Sequence, residues 1–334
     1  MARNKALHIV ILLFVLGSLK AQEPQFTQFY ANPLFLNPAF TGLTYEHRFA
    51  GNFRSQWLGI KTAYTTYMAS YDYNISNLKS GIGGCVLQDK AGSSNLVTTT
   101  GALNYAYSIK VKKYSELRAG LSFAMSQKKL DYTTLLFNDQ LITGAATSQD
   151  SRNVQSVNYA DVSLGALYNS SSYWAGLSLR HVNQPNASLT GNVDPLDIYL
   201  SMHGGYRFII SGEGRGKTKI NEFISASLNY RHQGIYDQLD LGAYYYKKSF
   251  NLGLWYRGLP LKKYKPGYPT RESIALLAGI EVPDKNYRIG YSFDITVSRL
   301  GVNNTYGAHE LSIVYEMAKK RKRTRRVLVS CPKF

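Results

Sequence analysis

In this 334-residue chain, the first residues to consider for catalysis or metal binding are histidines. They are scattered along the sequence and do not form a compact motif. Apart from His8 near the N-terminus, they are His47, His181, His203, His232 and His309. A hydrolase needs a nucleophile, a base and a polarising group in one place, and no Ser or Asp recurs beside these histidines. Paired His or Cys residues at metal-ligand spacing are also missing. The sequence therefore predicts no enzyme, no catalytic residue, no metal site and no cofactor.

A glycine-rich stretch, residues 212–218, is the second candidate for chemistry because it ends in Gly-Lys-Thr. A phosphate-binding loop would need glycine where this chain has Ser211, and a helix would have to follow Thr218. A strand pattern follows instead. The stretch is therefore interpreted as a tight turn between two strands.

The N-terminus has the order of a secretory signal. Arg3 and Lys5 precede an apolar run over residues 6–16, and small residues lead to Ala21. The run is shorter than the roughly 20 residues that a membrane-spanning helix needs, so a membrane anchor is the weaker alternative. We expect residues 1–21 to be a cleaved signal peptide, with the mature chain starting at Gln22.

Period-two alternation between apolar and polar residues recurs along most of the chain. In residues 117–126 one face carries Leu, Ala, Leu, Phe and Met, and the other carries Arg, Gly, Ser, Ala and Ser. Such alternation, with abundant Tyr suited to interfacial aromatic girdles, is typical of a transmembrane antiparallel β-barrel. A soluble β-sandwich is the alternative, but no second sheet is left to cover the apolar faces.

Fourteen strands are predicted, forming a barrel over residues 47–317. They cover residues 47–57, 62–73, 79–88, 96–109, 114–128, 157–169, 172–182, 197–211, 218–231, 236–247, 249–257, 271–281, 286–296 and 308–317. Long connections at 129–156, 183–194, 258–270 and 297–307 alternate with short ones. Because outer-membrane barrels have short periplasmic turns and longer outer loops, both termini are predicted to be periplasmic.

Residues 22–46 form an aromatic, proline-broken N-terminal segment that lacks a strand pattern. Exposed, its aromatic residues would form a large apolar patch, so we expect it to pack across the periplasmic mouth of the barrel as a plug. A disordered leader is the alternative. The residues predicted to pack are Phe29, Tyr30, Asn32, Pro33, Leu34, Phe35, Asn37, Pro38 and Phe40.

The formal net charge is +18, and residues 318–334 contribute eight of these positive charges. The predicted periplasmic tail, residues 318–334, contains no acid, so the basic character does not indicate a nucleic-acid-binding fold. A solvated tail is one interpretation; docking to an acidic periplasmic surface is the other. The docking residues would be Lys319, Lys320, Arg321, Lys322, Arg323, Arg325 and Arg326. Two cysteines, Cys85 and Cys331, are too few for a disulfide framework.

The two Asn-Pro steps, Asn32-Pro33 and Asn37-Pro38, with their regularly placed aromatics and Phe40-Thr41-Gly42, resemble the start of the PorP/SprF family of outer-membrane proteins. The Cys-Pro-Lys-Phe ending is similar to the gliding-motility branch named after SprF. The resemblance is concentrated in residues 22–57, and the family has no active-site motif to transfer.

This resemblance implies a non-enzymatic barrel of the type IX secretion system in the cell outer membrane. It implies a need for the barrel in the secretion or surface attachment of specific cargo, such as a gliding-motility adhesin. The implied partners are the lipid bilayer of the outer membrane, periplasmic ring or translocon proteins, and the cargo adhesin, with no nucleic acid. The alternative is an outer-membrane porin or substrate-specific channel, which an open polar lumen would favour.

Overall fold

The computed structural model describes residues 23–43, 46–60, 64–92, 96–112, 114–131, 135–146, 148, 156–213, 219–265, 268–282 and 286–317. The predicted signal peptide, Gln22, the glycine-rich turn at 214–218, the basic tail and Cys331 lie outside these residues. In the part of the chain that is described, no helix is both long enough and apolar enough to cross a membrane.

Fourteen antiparallel strands form one closed barrel, as predicted. Each strand pairs with its sequence neighbours, and β1 closes the ring against β14 in continuous register from His47↔Met317 to Gln56↔Ala308. The strands are β1 (His47–Gln56), β2 (Tyr64–Ile75), β3 (Ser80–Ala91), β4 (Leu96–Lys112), β5 (Ser115–Lys129), β6 (Val157–Asn169), β7 (Tyr173–Arg180), β8 (Tyr199–Glu213), β9 (Lys219–Gln233), β10 (Tyr236–Lys247), β11 (Phe250–Lys265), β12 (Tyr268–Val282), β13 (Tyr287–Thr296) and β14 (Ala308–Met317).

The described residues also contain four short helical pieces: α1 (Pro33–Leu36), a 3₁₀ helix (Pro38–Phe40), α2 (Asn138–Thr143) and α3 (Val302–Thr305). The first two belong to the segment before β1. The other two lie in the connections between β5 and β6 and between β13 and β14.

The alternation in β5 sorts residues as the sequence predicts. Leu117, Leu121 and Phe123 are exposed on the outside at 44%, 47% and 49%, whereas Arg118 and Ser122 face inward and are buried. Apolar side chains facing out and polar ones facing in are what a lipid-embedded barrel with a polar interior requires. A strand of a soluble protein would have its apolar side chains inside and its polar ones outside, and β5 does not show that pattern.

Aromatic side chains form a row on the outer surface near one end of the barrel. Phe49 lies 4.7 Å from Tyr71 and 6.4 Å from Tyr315 between ring centroids, and Tyr315 lies 4.6 Å from Tyr287. These residues face one another across neighbouring strands β2, β1, β14 and β13. Such a row matches the interfacial aromatic girdle of membrane barrels.

The two ends of the barrel differ in their connections. Brief turns join β2 to β3, β4 to β5, β6 to β7, β8 to β9, β10 to β11 and β12 to β13, which defines the short-turn end. The opposite, long-loop end carries the extended connections 130–156, 181–198 and 297–307.

One predicted loop is wrong. Residues 258–270 are mostly strand, because β11 and β12 continue as a paired hairpin almost to its tip. Their pairing shifts register after Arg257, Leu259 and Lys263. Such irregular pairing breaks the period-two pattern on which the strand prediction depended, while the backbone pairs continue.

Candidate functional site: a lumen filled by the N-terminal segment

Residues 23–43, called the plug below, run through the lumen between the two ends of the barrel. At the long-loop end, Glu23 contacts Arg180 and His181, which end and follow β7. At the short-turn end, the backbone N–H of Gly42 donates to Asp72 Oδ2 at 2.7 Å, and Asn74 Nδ2 donates to the Gly42 carbonyl at 2.6 Å. The sequence placed this segment across the mouth; the structure extends it through the interior.

The two Asn-Pro steps explain the compact conformation of the plug. Pro33 occupies the first turn of α1, where its fixed φ suits the helix and its missing N–H is not needed. Asn37 then caps the 3₁₀ helix, its side chain accepting from the Ala39 N–H at 2.8 Å. Two tight turns therefore fold the aromatic segment into a width that the lumen accommodates.

The aromatic residues of the plug pack against aromatic residues of the wall. Phe40 lies 5.8 Å from Trp174 in an edge-to-face arrangement, and Phe29 lies 4.9 Å from Trp255. Tyr30 lies 5.4 Å from Tyr244 on the neighbouring strand β10. The wall residues of this apolar cluster lie where the plug covers them. The interior of a membrane barrel is otherwise polar.

Asn37 joins the plug to the backbone of two wall strands. Its Nδ2 donates to the carbonyls of Ala166 and Leu177, both at 3.0 Å, and lies 3.2 Å from His203 Nε2. Asn37 is fully buried, so these bonds replace water that the amide would otherwise bind.

Wall glycines make room for this close approach. A Cβ at Gly165 would lie 2.0 Å from Asn37 Oδ1, and one at Gly120 would lie 2.2 Å from the Ala39 nitrogen. Such distances are far shorter than any real contact, so each glycine marks a point where plug and wall touch directly. The same holds for Gly81 against Thr41.

A buried polar network surrounds Thr27 of the plug. Its N–H donates to Glu310 Oε2 and its hydroxyl donates to Asp294 Oδ2, both at 2.7 Å. Arg54 donates to the Thr27 hydroxyl at 2.6 Å and pairs with Asp294 at 2.8 Å, while Arg257 pairs with Asp294 at 3.3 Å. Removing one partner would leave a buried charge uncompensated, so the network fixes the plug strongly.

Two further polar residues clamp the plug. Arg118 donates to the carbonyls of Ala39 and Thr41 at 2.9 and 2.5 Å. Gln28, fully buried, donates to the Glu310 carbonyl at 2.9 Å. The Arg118 bonds satisfy backbone carbonyls of a segment that has little secondary structure of its own, and the Gln28 bond ties that segment to the backbone of β14.

An ionic cluster holds the first described residue. Glu23 Oε2 lies 2.6 Å from Arg180 Nη2, and Glu23 Oε1 contacts His181 Nε2. Burial would raise the pKa of Glu23, but Arg180 and His181 outweigh it and lower the pKa to about 2. Burial also opposes protonation of His181, but Glu23 and Asp161 raise its pKa to about 9. At neutral pH both groups, which lie outside the strands, are therefore charged.

The residues predicted to pack in the N-terminal segment lie together in the lumen. Buried members are Phe29, Asn32, Pro33, Leu34, Asn37, Pro38 and Phe40, while Tyr30 and Phe35 are half-buried. Sequence reasoning missed Thr27, Gln28 and their partners Asp294 and Glu310. The period-two alternation of residues 289–295 predicts that Asp294 faces inward, but no pattern in the sequence indicates a partner 267 positions away.

The described histidines are occupied by structural contacts. His203 Nδ1 lies 3.2 Å from the Ser201 hydroxyl, but its other nitrogen meets the Asn37 amide and no acid completes a triad. His181 lies between Glu23 and Asp161, and His232 lies 2.6 Å from Asp237. Within the described ranges, no three His, Cys, Asp or Glu residues form a metal-binding group.

A cavity of about 680 Å³, called the vestibule below, lies between the plug and the long-loop end. Plug residues Glu23, Pro24 and Gln25 line it together with residues of strands β1, β2, β3, β4, β8, β9, β10, β11 and β12. Its side chains include Arg54, Gln56, Trp57, Tyr64, Thr66, Asp89, Tyr199, Arg231, His232, Tyr236, Asp237, Gln238, Arg271 and Glu272.

A protein-family model described as "Type IX secretion system membrane protein PorP/SprF" matches residues 18–315. The match covers the plug and nearly the whole barrel. The comparison with curated proteins gives no match.

Solved barrel structures resemble the fold at low identity. Outer membrane protein Omp33 of Acinetobacter baumannii is 10% identical, with 83% of this chain and 100% of that chain covered and a TM-score of 0.45. The toluene transporter TodX of P. putida is 10% identical, with 85% and 93% covered and a TM-score of 0.48. At these values the likeness carries no functional argument.

Proposed function

The chain belongs to the type IX secretion system membrane protein family PorP/SprF, and from this premise we propose that it is a plugged, non-conducting barrel that serves specific cargo. It is an outer-membrane protein. In the proposal it acts without catalysis, in the secretion or surface attachment of a few proteins, such as a gliding-motility adhesin.

The filled lumen is the observation that supports this proposal. The plug is fixed at both ends of the barrel, by Glu23 at one and Gly42 at the other, and its middle is held by Thr27. A polypeptide in transit would have to displace all these contacts. The barrel therefore suits a role beside a separate conduit, as a docking partner for cargo or for the secretion apparatus.

The proposed orientation places the short-turn end in the periplasm, because membrane barrels carry their short turns there. The basic tail that follows β14 would then start in the periplasm, next to the periplasmic parts of the secretion system. The long loops would face outward, where secreted cargo is displayed.

Deletion of the gene, followed by comparison of the surface and secreted proteomes, tests the proposal. Loss of one or a few large adhesins, with other type IX cargo still exported, is the expected result. Loss of every type IX substrate would make the protein a core component, and an unchanged proteome would contradict the proposal. Complementation with the wild-type gene is the control.

A porin is the second candidate, and conductance separates it from the first. The purified barrel in a planar bilayer should show no steady channel, because the plug occupies the lumen. A variant lacking residues 23–43 should conduct if it inserts. Steady wild-type conductance would favour the porin.

A further inference from the structure

The seam between β1 and β14 joins the two ends of the strand order. Every other neighbouring pair of strands in the barrel is consecutive in the chain, whereas the seam pairs residues as far apart as His47 and Met317. Pairing of such distant segments has a high cost in chain entropy, and no turn restrains the two strands. The seam therefore has the least covalent restraint of all the joints between strands.

Thr27 of the plug bridges this seam. Arg54 of β1 and Glu310 of β14 are partners in the strand register, and their side chains lie 3.4 Å apart between Nη1 and Oε2. The Thr27 N–H donates to Glu310 Oε2 at 2.7 Å, and Arg54 Nη1 donates to the Thr27 hydroxyl at 2.6 Å. All three residues are buried. One plug residue therefore bonds to both strands of the seam, and parting them would leave buried charges uncompensated.

A second bridge lies four residues nearer the short-turn end. Ala50 of β1 and Val314 of β14 are also partners in the register, and Ala31 packs with both in a buried apolar cluster. Between the two bridges, Gln28 Nε2 donates to the Glu310 carbonyl at 2.9 Å. This part of the plug therefore follows the inner side of the seam.

Residues 27–31, called the latch below, differ from the later part of the plug in the strands that they contact. Asn37 bonds to the backbone of β6 and β7, and Gly42 bonds to Asp72 of β2. The latch contacts both β1 and β14. A change in the latch should therefore affect the seam more than the opposite side of the wall.

We propose that the latch holds the seam closed and that its release lets β1 and β14 part. Docking of the latch adds two bridges across the joint with the least covalent restraint, so the position of the latch and the closure of the seam are coupled. Arg54 and Gln56 of β1 also line the vestibule, so a seam released at this height would open that cavity toward the membrane. The inference concerns the closure of the barrel and is independent of the cargo role proposed above.

Hydrogen exchange of the full-length protein in detergent tests the coupling strand by strand. Thr27→Val with Gln28→Leu removes the side-chain hydrogen bonds of the latch with little change in side-chain volume. Exchange in β1 and β14 should become at least about tenfold faster, the factor that corresponds to one lost buried hydrogen bond, while β6 and β7 keep their protection. Asn37→Ala is the matched variant, because it removes the bonds to β6 and β7 and should leave the seam protected.

A disulfide across the seam distinguishes a latch from general packing. In a Cys85→Ser and Cys331→Ser background, Gly51→Cys with Ile313→Cys joins register partners on β1 and β14. Directly opposed residues of antiparallel strands lie close enough for a disulfide. When oxidised, this bond should restore slow exchange at the seam of the latch variant.

Ala119→Cys with Ala166→Cys is the control, because it joins register partners on β5 and β6, and it should not restore the seam. Heat-modifiable migration should show every variant folded, and Gln28→Leu alone takes the place of the double variant if that one fails to insert. Unchanged exchange in β1 and β14, equally faster exchange in all strands, or equal rescue by both disulfides would overturn the proposal.

Discussion

At the residue scale, the inward face of the barrel combines clamping side chains with glycines that allow contact. Alternation in the sequence predicts that Arg118 and Gly120 face inward, and they do. That Arg118 bonds the carbonyls of Ala39 and Thr41 could not be predicted, because the contact depends on barrel closure and on the path of the plug. The local sequence pattern therefore predicts which face of the strand a side chain lies on. The residues that the side chain contacts depend on the tertiary structure.

Gly120→Ala should loosen the plug. The new methyl group would meet backbone atoms of Pro38 and Ala39 at 2.4 and 2.2 Å, which cannot move without disturbing the 3₁₀ helix. Overpacking of this kind costs about 1–3 kcal/mol. Hydrogen exchange at the amides of Ala39 and Thr41 should become faster. Gly101→Ala is the control, since nothing lies within 4 Å of its Cβ position; equal protection in both variants would contradict direct contact at Gly120.

Docking of the first plug residues should depend on pH. The pKa of Glu23 is lowered from 4.5 to about 2, so its contribution is present above pH 4.5 and is lost as the pH falls toward 2. The pKa of His181 is raised from 6.5 to about 9, so its contribution is complete below pH 6.5 and is lost as the pH rises through 9. Together they predict the tightest docking between about pH 4.5 and 6.5.

Proteolysis of the N-terminus at pH 6 and pH 9.5, with a protease active at both, measures this dependence. Cleavage of the wild type should be faster at pH 9.5, and His181→Gln should remove most of the difference. His309→Gln is the control, because His309 contacts Tyr291 and Phe293 on another part of the barrel. A pH dependence that His181→Gln leaves intact would assign it to other groups.

At the element scale, strands with regular alternation could be predicted from the sequence, whereas strand ends with irregular pairing could not. All fourteen strands were found from period two, and the barrel closes in the predicted order. The ends of β11 and β12 were missed because bulged pairing and Pro260 interrupt the pattern. The N-terminal segment was predicted to pack because of its aromatic content, but its path was not predictable, since its turns leave no periodicity to follow.

The orientation of the barrel is testable by cysteine labelling in a Cys85→Ser and Cys331→Ser background. Thr190→Cys places a thiol on an exposed position of the connection after β7, at the long-loop end, and Ser171→Cys places one in the turn before it. A membrane-impermeant maleimide on intact cells should label the first variant and not the second. Lysed cells should label both, which controls for reactivity, and the opposite pattern on intact cells would invert the topology.

At the scale of the whole molecule, barrel and plug share one core. The plug supplies Phe29, Leu36, Phe40 and Leu43 to the apolar cluster, and the wall supplies Trp174 and Trp255. Without the plug these large side chains would face a water-filled lumen, so the two parts stabilise each other. Composition and sequence pattern predict a barrel and a packed N-terminal segment. They do not predict which plug residues contact which wall residues, because those contacts join distant parts of the sequence and form when the barrel closes.

Charge reversal of the tail tests whether the molecule docks through it. β14 ends at Met317, so replacing Arg321, Arg323, Arg325 and Arg326 with Glu leaves the last strand unchanged, and barrel insertion should be normal. Attraction between exposed charges extends about 8 Å at physiological salt, so docking through the tail would require direct, salt-sensitive contact. Cargo display and co-purification of secretion components should therefore fall, whereas the single change Lys333→Glu should have little effect. Normal display after the fourfold reversal would leave the tail as a solvated extension and end the docking hypothesis.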